Sequence, residues 1–301
     1  MLSGARTGPL ASFTRMDGTA PLRSETIDRV RVLTLSRPDE YNTINPALRD
    51  ALGDALDEAE RDRGVNAVLL RAEGPAFCAG YQLDWATAEQ AEAESGAARV
   101  WDSVADVQMI GRYASTWAKL HTISKPTIAA VQGWCIAGGT NMVLHTDLIV
   151  CAESARFGYP PMRVWGIPEA PWVWIARLGL ERAKRYLFTG DELDGREAER
   201  LGLVLECVPD EVLDEHARDL AHRIAMLPLE QLQMIKWSLN DTARHMYQPD
   251  SSRLLGCLFD GVARHTQEGQ DFVARSMEVG FRQAVRERDD PFGDYGSRPR
   301  S

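Results

Sequence analysis

The sequence predicts an α/β fold, with a mostly parallel sheet followed by a helical C-terminal region. Three observations carry this. Short β-branched runs alternate with amphipathic runs as far as about residue 208. After Pro209 the strand signals stop and long amphipathic segments take over. The apolar fraction, 44% of 301 residues, supplies the core of one large domain with an appendage.

The elements follow in order. Residues 1–24 carry Arg, Ser, Gly and Pro without an amphipathic period. They read as a flexible extension, with a faint likeness to an organelle transit peptide as the alternative. RVRVLTLS (29–36) is β-branched, ends at Arg37-Pro38 and reads as the first strand. In 45–64, Leu48, Leu52, Ala55, Leu56 and Ala59 form one helical stripe, with Asn45 as N-cap, Pro46 behind it and Gly64 at the exit. AVLLRAE (67–73) is a second strand, running into the loop GPAFCAGYQLDW. Residues 86–123 are helix-rich, acidic and Ala-rich at first. TIAAVQG (127–133) is a third strand, 138–147 a short buried helix and LIVCAE (148–153) a fourth strand. Four amphipathic segments then span 211–226, 228–243, 251–265 and 268–289. The division is an extension 1–24, a core 25–208, a helical region 209–290 and a loose polar tail 291–301. No internal repeat of 20–50 residues is visible.

Composition excludes several classes. Lys and Arg total 34 against 44 Asp and Glu, a net charge of −10, which argues against a general nucleic-acid or anionic-membrane binder. No apolar run approaches the ~20 residues that span a bilayer. The five cysteines (Cys78, Cys135, Cys151, Cys207, Cys257) are far apart and form no CxxC, which argues against a disulfide framework or zinc site. A reducing compartment follows, the cytoplasm or an organellar matrix. The six histidines show no metal spacing and read as surface or satisfied core residues.

The chemistry concentrates in two Gly-rich strand exits, Phe77-Cys78-Ala79-Gly80-Tyr81 and Gln132-Gly133-Trp134-Cys135-Ile136-Ala137-Gly138-Gly139. The second leads straight into a helix, whose first N–H groups are free and carry partial positive charge. Glycine lets a ligand approach that backbone closely. Two such loops facing each other make an oxyanion hole. Tight turns and close packing explain the same glycines equally well.

The run from Lys125 to Gly139 (KPTIAAVQGWCIAGG) closely resembles the signature of the crotonase, or enoyl-CoA hydratase/isomerase, superfamily. Support comes from Arg37-Pro38-Asp39-Glu40-Tyr41-Asn42-Thr43, Phe77 to Leu83, Phe157-Gly158-Tyr159-Pro160, Gly166-Ile167-Pro168, Thr189-Gly190-Asp191 and Ala198 to Val204, in family order from about 29 to 208. The resemblance implies a crotonase-like spiral of ββα units with a C-terminal helical trimerisation region. It implies homotrimers or hexamers (dimers of trimers), an acyl-CoA thioester as substrate, and no cofactor beyond its coenzyme A. It places oxyanion donors at the backbone N–H groups of Tyr81 and Gly138. It places substrate contacts at Tyr41, Thr43, Ala79, Gln82, Leu83, Trp134 and Pro161, with Trp85 and 86–110 covering the acyl pocket. Arg37, Arg71 and Lys236 are candidates, by position, for the coenzyme A phosphates.

The departures bear on the reaction. The two glutamates of family hydratases fall at Asn141 and Pro161, neither of which is an acid or base. The family's Asp in FxxGxDL is Gln82, with Asp84 two residues on. Glu169 instead fills the slot used by relatives that shift double bonds. Desolvation by Trp165, Ile167, Trp172 and Trp174 would tune it as an acid/base; the alternative is an exposed residue at the start of a helix over 170–178. The same tryptophans, with Pro168 and Pro171, read as a pocket wall or as ordinary core. The leading expectation is an isomerase-like enzyme using Glu169. Hydration by a non-standard carboxylate is the alternative, and a catalytically inactive CoA-thioester binder is the alternative from another class. A hydrolase or dehalogenase for a bulky thioester also stays open.

Overall fold

Successive strand pairs along the chain feed two sheets, one strand to each. In the computed structural model, which describes residues 20–82 and 102–295, the pairs are β3 (Ala67–Ala72) with β4 (Ala76–Cys78), β5 (Thr127–Val131) with β6 (Trp134–Ile136), and β7 (Leu148–Ala152) with β8 (Arg156–Gly158). A helix follows each pair: α2 (Ser103–Thr122), α3 (Gly138–Leu144) and α4 (Trp172–Leu178). The first strands join a six-stranded sheet in the order β1 (Leu22–Ile27), β2 (Val30–Leu35), β3, β5, β7 and β10 (Glu206–Val208), and the second strands a four-stranded sheet in the order β4, β6, β8 and β9 (Leu193–Asp194). This is the ββα spiral that the sequence motifs imply, and the pairings within the spiral are parallel.

The large sheet opens with a hairpin, β1 (Leu22–Ile27) and β2 (Val30–Leu35), whose turn residues Asp28 and Arg29 have φ of 46° and 68°. Such a two-residue turn matches the strand twist. β1 lies partly inside the segment read as a flexible extension. Its sequence, LRSETI, has no apolar alternation because five of its six residues are exposed. It is held by the backbone ladder rather than by a buried face. After the spiral come α5 (Leu180–Thr189), β9 (Leu193–Asp194), α6 (Gly195–Leu201) and β10 (Glu206–Val208).

Strands buried on both faces explain the near-continuous apolar runs. Leu33, Leu70, Ala129 and Ile149 face one way, into the main core with α1 (Pro46–Arg61). Val32, Leu69, Ile128 and Val150 face the other way, onto α7 (Leu213–Ala225). That helix meets the sheet through Ala217, Ala221 and Ala225, a small-residue stripe that permits close approach. The Asn45 side chain caps α1 by accepting from the N–H of Leu48 at 2.9 Å, as the sequence predicts.

The remaining helices are α8 (Leu229–Tyr247), α9 (Pro249–Arg264), α10 (Gln267–Val279) and α11 (Phe281–Asp289). The segment after α11 corrects the expectation of a loose tail from 291. The buried guanidinium of Arg163 pairs with Asp289 at 2.8 Å and Asp294 at 2.8 Å, and the Tyr295 hydroxyl donates to the carbonyl of Gly190 at 2.8 Å. A buried arginine needs such partners, so the chain end as far as Tyr295 is fastened to the spiral. Residues 296–301 lie outside the described residues, as do 1–19 and 83–101.

α9 leans on the segment that precedes α4. A Cβ on Gly256 would stand 2.4 Å from the carbonyl oxygen of Glu169 and 2.7 Å from that of Pro168, so only glycine allows this approach. Gly256→Ala should therefore destabilise the fold by about 1–3 kcal/mol and depress activity by displacing residue 169. Thermal unfolding beside an activity assay checks both effects.

Candidate active site

Three consecutive strand exits meet at one cavity of about 730 Å3. The exit of β4 supplies Ala79 and Tyr81, the exit of β6 supplies Ala137, and the segment after β8 supplies Pro161, Trp165 and Glu169. The first two exits touch through their glycines. A Cβ on Gly139 would lie 2.5 Å from the carbonyl oxygen of Cys78, and one on Gly138 would lie 2.5 Å from Cε2 of Tyr81. Gly80, at φ 95°, passes over Ile136 and Ala137. Close packing thus brings the backbones of Gly80-Tyr81 and Gly138-Gly139 together.

The backbone around Tyr81 is fixed by a parallel bridge to Ile44. The N–H of Ile44 donates to the carbonyl of Gly80 at 2.8 Å, and the N–H of Gln82 donates to the carbonyl of Ile44 at 2.8 Å. That pattern turns the N–H of Tyr81 to the opposite side. Gly138 is the first residue of α3, and Ala137 before it has φ 53°. An N–H there has no partner within its own helix.

Glu169 is 2% exposed. It is not the surface residue that the helix-start alternative describes. α4 begins three residues later, at Trp172. The approach is pinned on both sides: the Tyr159 hydroxyl donates to the carbonyl of Ile167 at 3.1 Å, and Asp260 on α9 accepts from the N–H of Ile167 at 3.0 Å. The Tyr81 hydroxyl donates to Oε1 of Glu169 and the Asn141 amide donates to Oε2. Burial pushes the carboxyl up to about 7, against the pull of these two donors, and the nearby Asp260 pushes the same way. Burial and the adjoining Glu169 likewise hold the Tyr81 phenol well above its ordinary value.

A family model described as "Enoyl-CoA hydratase/isomerase" matches residues 25–274. The chain belongs to the enoyl-CoA hydratase/isomerase family. A solved enoyl-CoA hydratase from Mycobacterium smegmatis is 39% identical, superposes with a TM-score of 0.86, and the match covers 95% of this chain and 98% of that one. The hydroxycinnamoyl-CoA hydratase-lyase of Pseudomonas fluorescens is 31% identical over 250 residues, 78% of this chain and 86% of its own. The 1,2-epoxyphenylacetyl-CoA isomerase of Escherichia coli K12 is 30% identical over 213 residues, 70% of this chain and 78% of its own. The protein is thus an acyl-CoA enzyme of a family whose named members include hydratases and isomerases.

Within this family enzyme, Tyr41, Thr43, Ala79, Tyr81, Gln82, Trp134, Pro161 and Glu169 all line the cavity. Gly138 stands against the Tyr81 ring, next to the lining residue Ala137. Leu83, Asp84 and Trp85 lie outside the described residues, and with them most of the segment expected to cover the acyl pocket. The tryptophans divide. Trp165 lines the cavity, while Trp172 and Trp174 are core, though the indole of Trp174 donates to Oδ1 of Asn141 at 3.1 Å.

None of the three positional cation candidates lines the cavity. Arg37 pairs with Glu40 and donates to the carbonyl of Thr43 at 3.4 Å. Arg71 pairs with Asp214. Lys236 is buried, 2.7 Å from Asp147 and donating to the carbonyl of Lys125 at 2.9 Å, so it ties α8 to the core. The cavity rim instead carries Arg282 and Arg286, one turn apart on α11, exposed and without an ion pair among the described residues. No local pattern marks them, because their relation to the cavity depends on where the C-terminal helices fold back. Tyr113, Trp117 and Asp260 were equally invisible. Each is an ordinary helix residue far from the motifs.

His145 is buried, with Nδ1 2.7 Å from the carbonyl oxygen of Asn141, and burial lowers it to about 4. This is the satisfied core histidine of the sequence reading. Among the described residues no group of His, Cys, Asp or Glu is placed to hold a metal ion, and no helix is long and apolar enough to cross a membrane.

The raised carboxyl has a thermodynamic signature. Between its unfolded value of 4.5 and about 7, the folded chain keeps a proton that the unfolded chain has released. Stability from this group is therefore full below pH 4.5 and lost as pH rises through about 7, a fall of about 3 kcal/mol. Glu169→Gln should remove that slope. Urea unfolding at several pH values checks it: the wild type should lose ground to the variant as pH rises, whereas parallel curves would contradict a buried titrating carboxyl.

Proposed function

We propose that this protein moves a proton along an acyl-CoA thioester, as an enoyl-CoA isomerase, with Glu169 as the single acid/base. The N–H groups of Tyr81 and Gly138 receive the thioester oxygen. Negative charge that develops there on enolisation is met by two fixed donors, each worth ~3–4 kcal/mol in comparable sites. Glu169 takes a proton from the carbon next to the thioester, and the bond electrons pass into the enolate. When the enolate collapses through the adjacent double bond, the same carboxyl returns the proton two carbons further out. The double bond is then conjugated with the thioester, and the enzyme is unchanged. No cofactor beyond the coenzyme A of the substrate enters this scheme.

The observation that carries the reading is the place and state of Glu169. It is buried at the cavity wall and poised near neutrality by burial, the condition for giving and taking a proton at pH 7. Asn141 and Pro161 stand where hydratases of the family carry their glutamates. Water addition to a 2-enoyl-CoA would therefore have to run through a non-standard carboxylate, Glu169 or another of the cavity's acids such as Asp260. The solved M. smegmatis relative, named a hydratase, keeps this second reading in view.

Two further features fit the same substrate and assembly. Arg282 and Arg286 at the rim would give the phosphates of coenzyme A local cations on an acidic chain, which supports this substrate class. Exposed Ile235, Trp237 and Leu239 on α8 and Leu254, Leu255 and Phe259 on α9 form apolar surface of a kind that a lone soluble subunit rarely shows. We assign it to contact with further copies of this chain, in a trimer or a hexamer built as a dimer of trimers.

On a 3-enoyl-CoA, Glu169→Gln should lower kcat by ~10²–10⁴-fold, the usual worth of a positioned acid/base. Formation of the 2-enoyl product and addition of water are followed separately. Unaltered isomerisation in the variant excludes the reading, and loss of hydration alone transfers it to the hydratase. An intact protein that turns over no thioester supports an inactive binder. Light scattering should give three or six times the chain mass; a monomer contradicts the assembly.

A further inference from the structure

Behind each donor to Glu169 stands a second donor that has no choice of direction. An indole N–H can only donate. Trp117 Nε1 donates to the Tyr81 hydroxyl oxygen at 3.3 Å, which leaves that hydroxyl's own proton for Oε1 of Glu169. Trp174 Nε1 donates to Oδ1 of Asn141 at 3.1 Å, which fixes the amide and turns Nδ2 to Oε2 of Glu169. Both chains run from the core inward to the carboxyl. The Tyr81 ring is located by the edge of Tyr113, with centroids 5.3 Å apart at 85°, and by the bare backbone of Gly138.

We propose that Tyr81 and Asn141 are positioning residues for Glu169: two indole-backed neutral donors, one on each oxygen, that aim the carboxyl and keep it ionisable inside an apolar wall. The proposal rests on the reading of Glu169 as acid/base and deepens it. Tyr81 then has two separate uses, its backbone N–H for the thioester oxygen and its side chain for Glu169. Asn141, which the resemblance aligns with a hydratase glutamate, serves the Glu169 carboxyl.

The choice of neutral donors has a physical consequence. A cation in contact would hold the carboxylate ionised well below neutrality, and no donor at all would leave it protonated. Two neutral donors oppose burial only in part. The other groups facing Glu169 agree with this balance. Asp260 and Cys257 face it from α9, the first already paired with Arg264 at 3.1 Å, and Tyr159 faces it from the segment before it. None of these is a cation bonded to the carboxyl.

The test reads the carboxyl directly. Protein labelled with ¹³C at the glutamate carboxyls is titrated by NMR, and the Glu169 signal is assigned by its loss in Glu169→Gln. Tyr81→Phe keeps the ring and the backbone N–H but removes one donor, so the midpoint should rise by about one unit. The acid limb of kcat/KM on a 3-enoyl-CoA should move up with it. Asn141→Ala should act in the same sense. Trp117→Phe should give a smaller rise, because it only weakens the Tyr81 donor; it also serves as the test if Tyr81→Phe does not fold by circular dichroism. An unmoved midpoint in a folded variant overturns the clamp, even while Glu169→Gln is inactive. A midpoint that moves while Glu169→Gln stays fully active supports the clamp and overturns the acid/base reading instead.

Discussion

The arrangement depends on a buried carboxyl, Glu169, to which two neutral side chains donate, Tyr81 and Asn141. Placing a charge there costs several kcal/mol unless it is paired or hydrogen-bonded, and among the described residues the side chains bonded to it, Tyr81 and Asn141, are neutral. The result is a group near 7, where an ordinary glutamate would be fully ionised. Much of the local packing follows from this. Gly138 is bare because the Tyr81 ring needs its space, and Gly256 is bare because α9 must close over Glu169. Asp260 and Tyr159 hold the backbone just before it.

The fold provides the convergence. Each ββα turn sends its second strand into the small sheet, and each such strand ends near the cavity. The exit of β4 delivers Tyr81, the exit of β6 delivers Gly138 and Asn141, and the chain after β8 delivers Glu169. Residues 88 positions apart are thereby bonded without any loop having to reach far. The helical C-terminal region then closes the other side, with Asp260 and Arg264 from α9 and the arginines of α11.

The sequence made some of this legible for clear reasons. Strands buried on both faces leave long apolar runs, so β2, β3, β5 and β7 were readable. The Asn45-Pro46 cap announced α1. The glycines of the two exits announced close backbone contact, because no other residue fits there. β1 was missed because an exposed edge strand carries no apolar alternation. The small sheet was missed because strands of two or three residues are shorter than any period. At the site, Glu169 stood out by its slot, and Asn141 stood out only as a missing acid. Its use is visible only when Trp174 and Glu169 are seen on either side of it. Trp117 and Asp260 could not be read at all, since a contact between distant helices leaves no local signature. The polar composition of the tail suggests a loose segment, yet Asp289 and Asp294 are polar because they hold the buried Arg163.

The most direct measurement is exchange of the α-hydrogens of a saturated acyl-CoA with deuterated water, followed by mass spectrometry. It reads removal of the proton, its exchange with solvent at the carboxyl and the return of a deuteron to the same carbon, and it needs no double bond in the substrate. The account predicts enzyme-catalysed exchange that rises with pH through about 7 and vanishes in Glu169→Gln. Exchange that persists in that variant at the wild-type rate would contradict it.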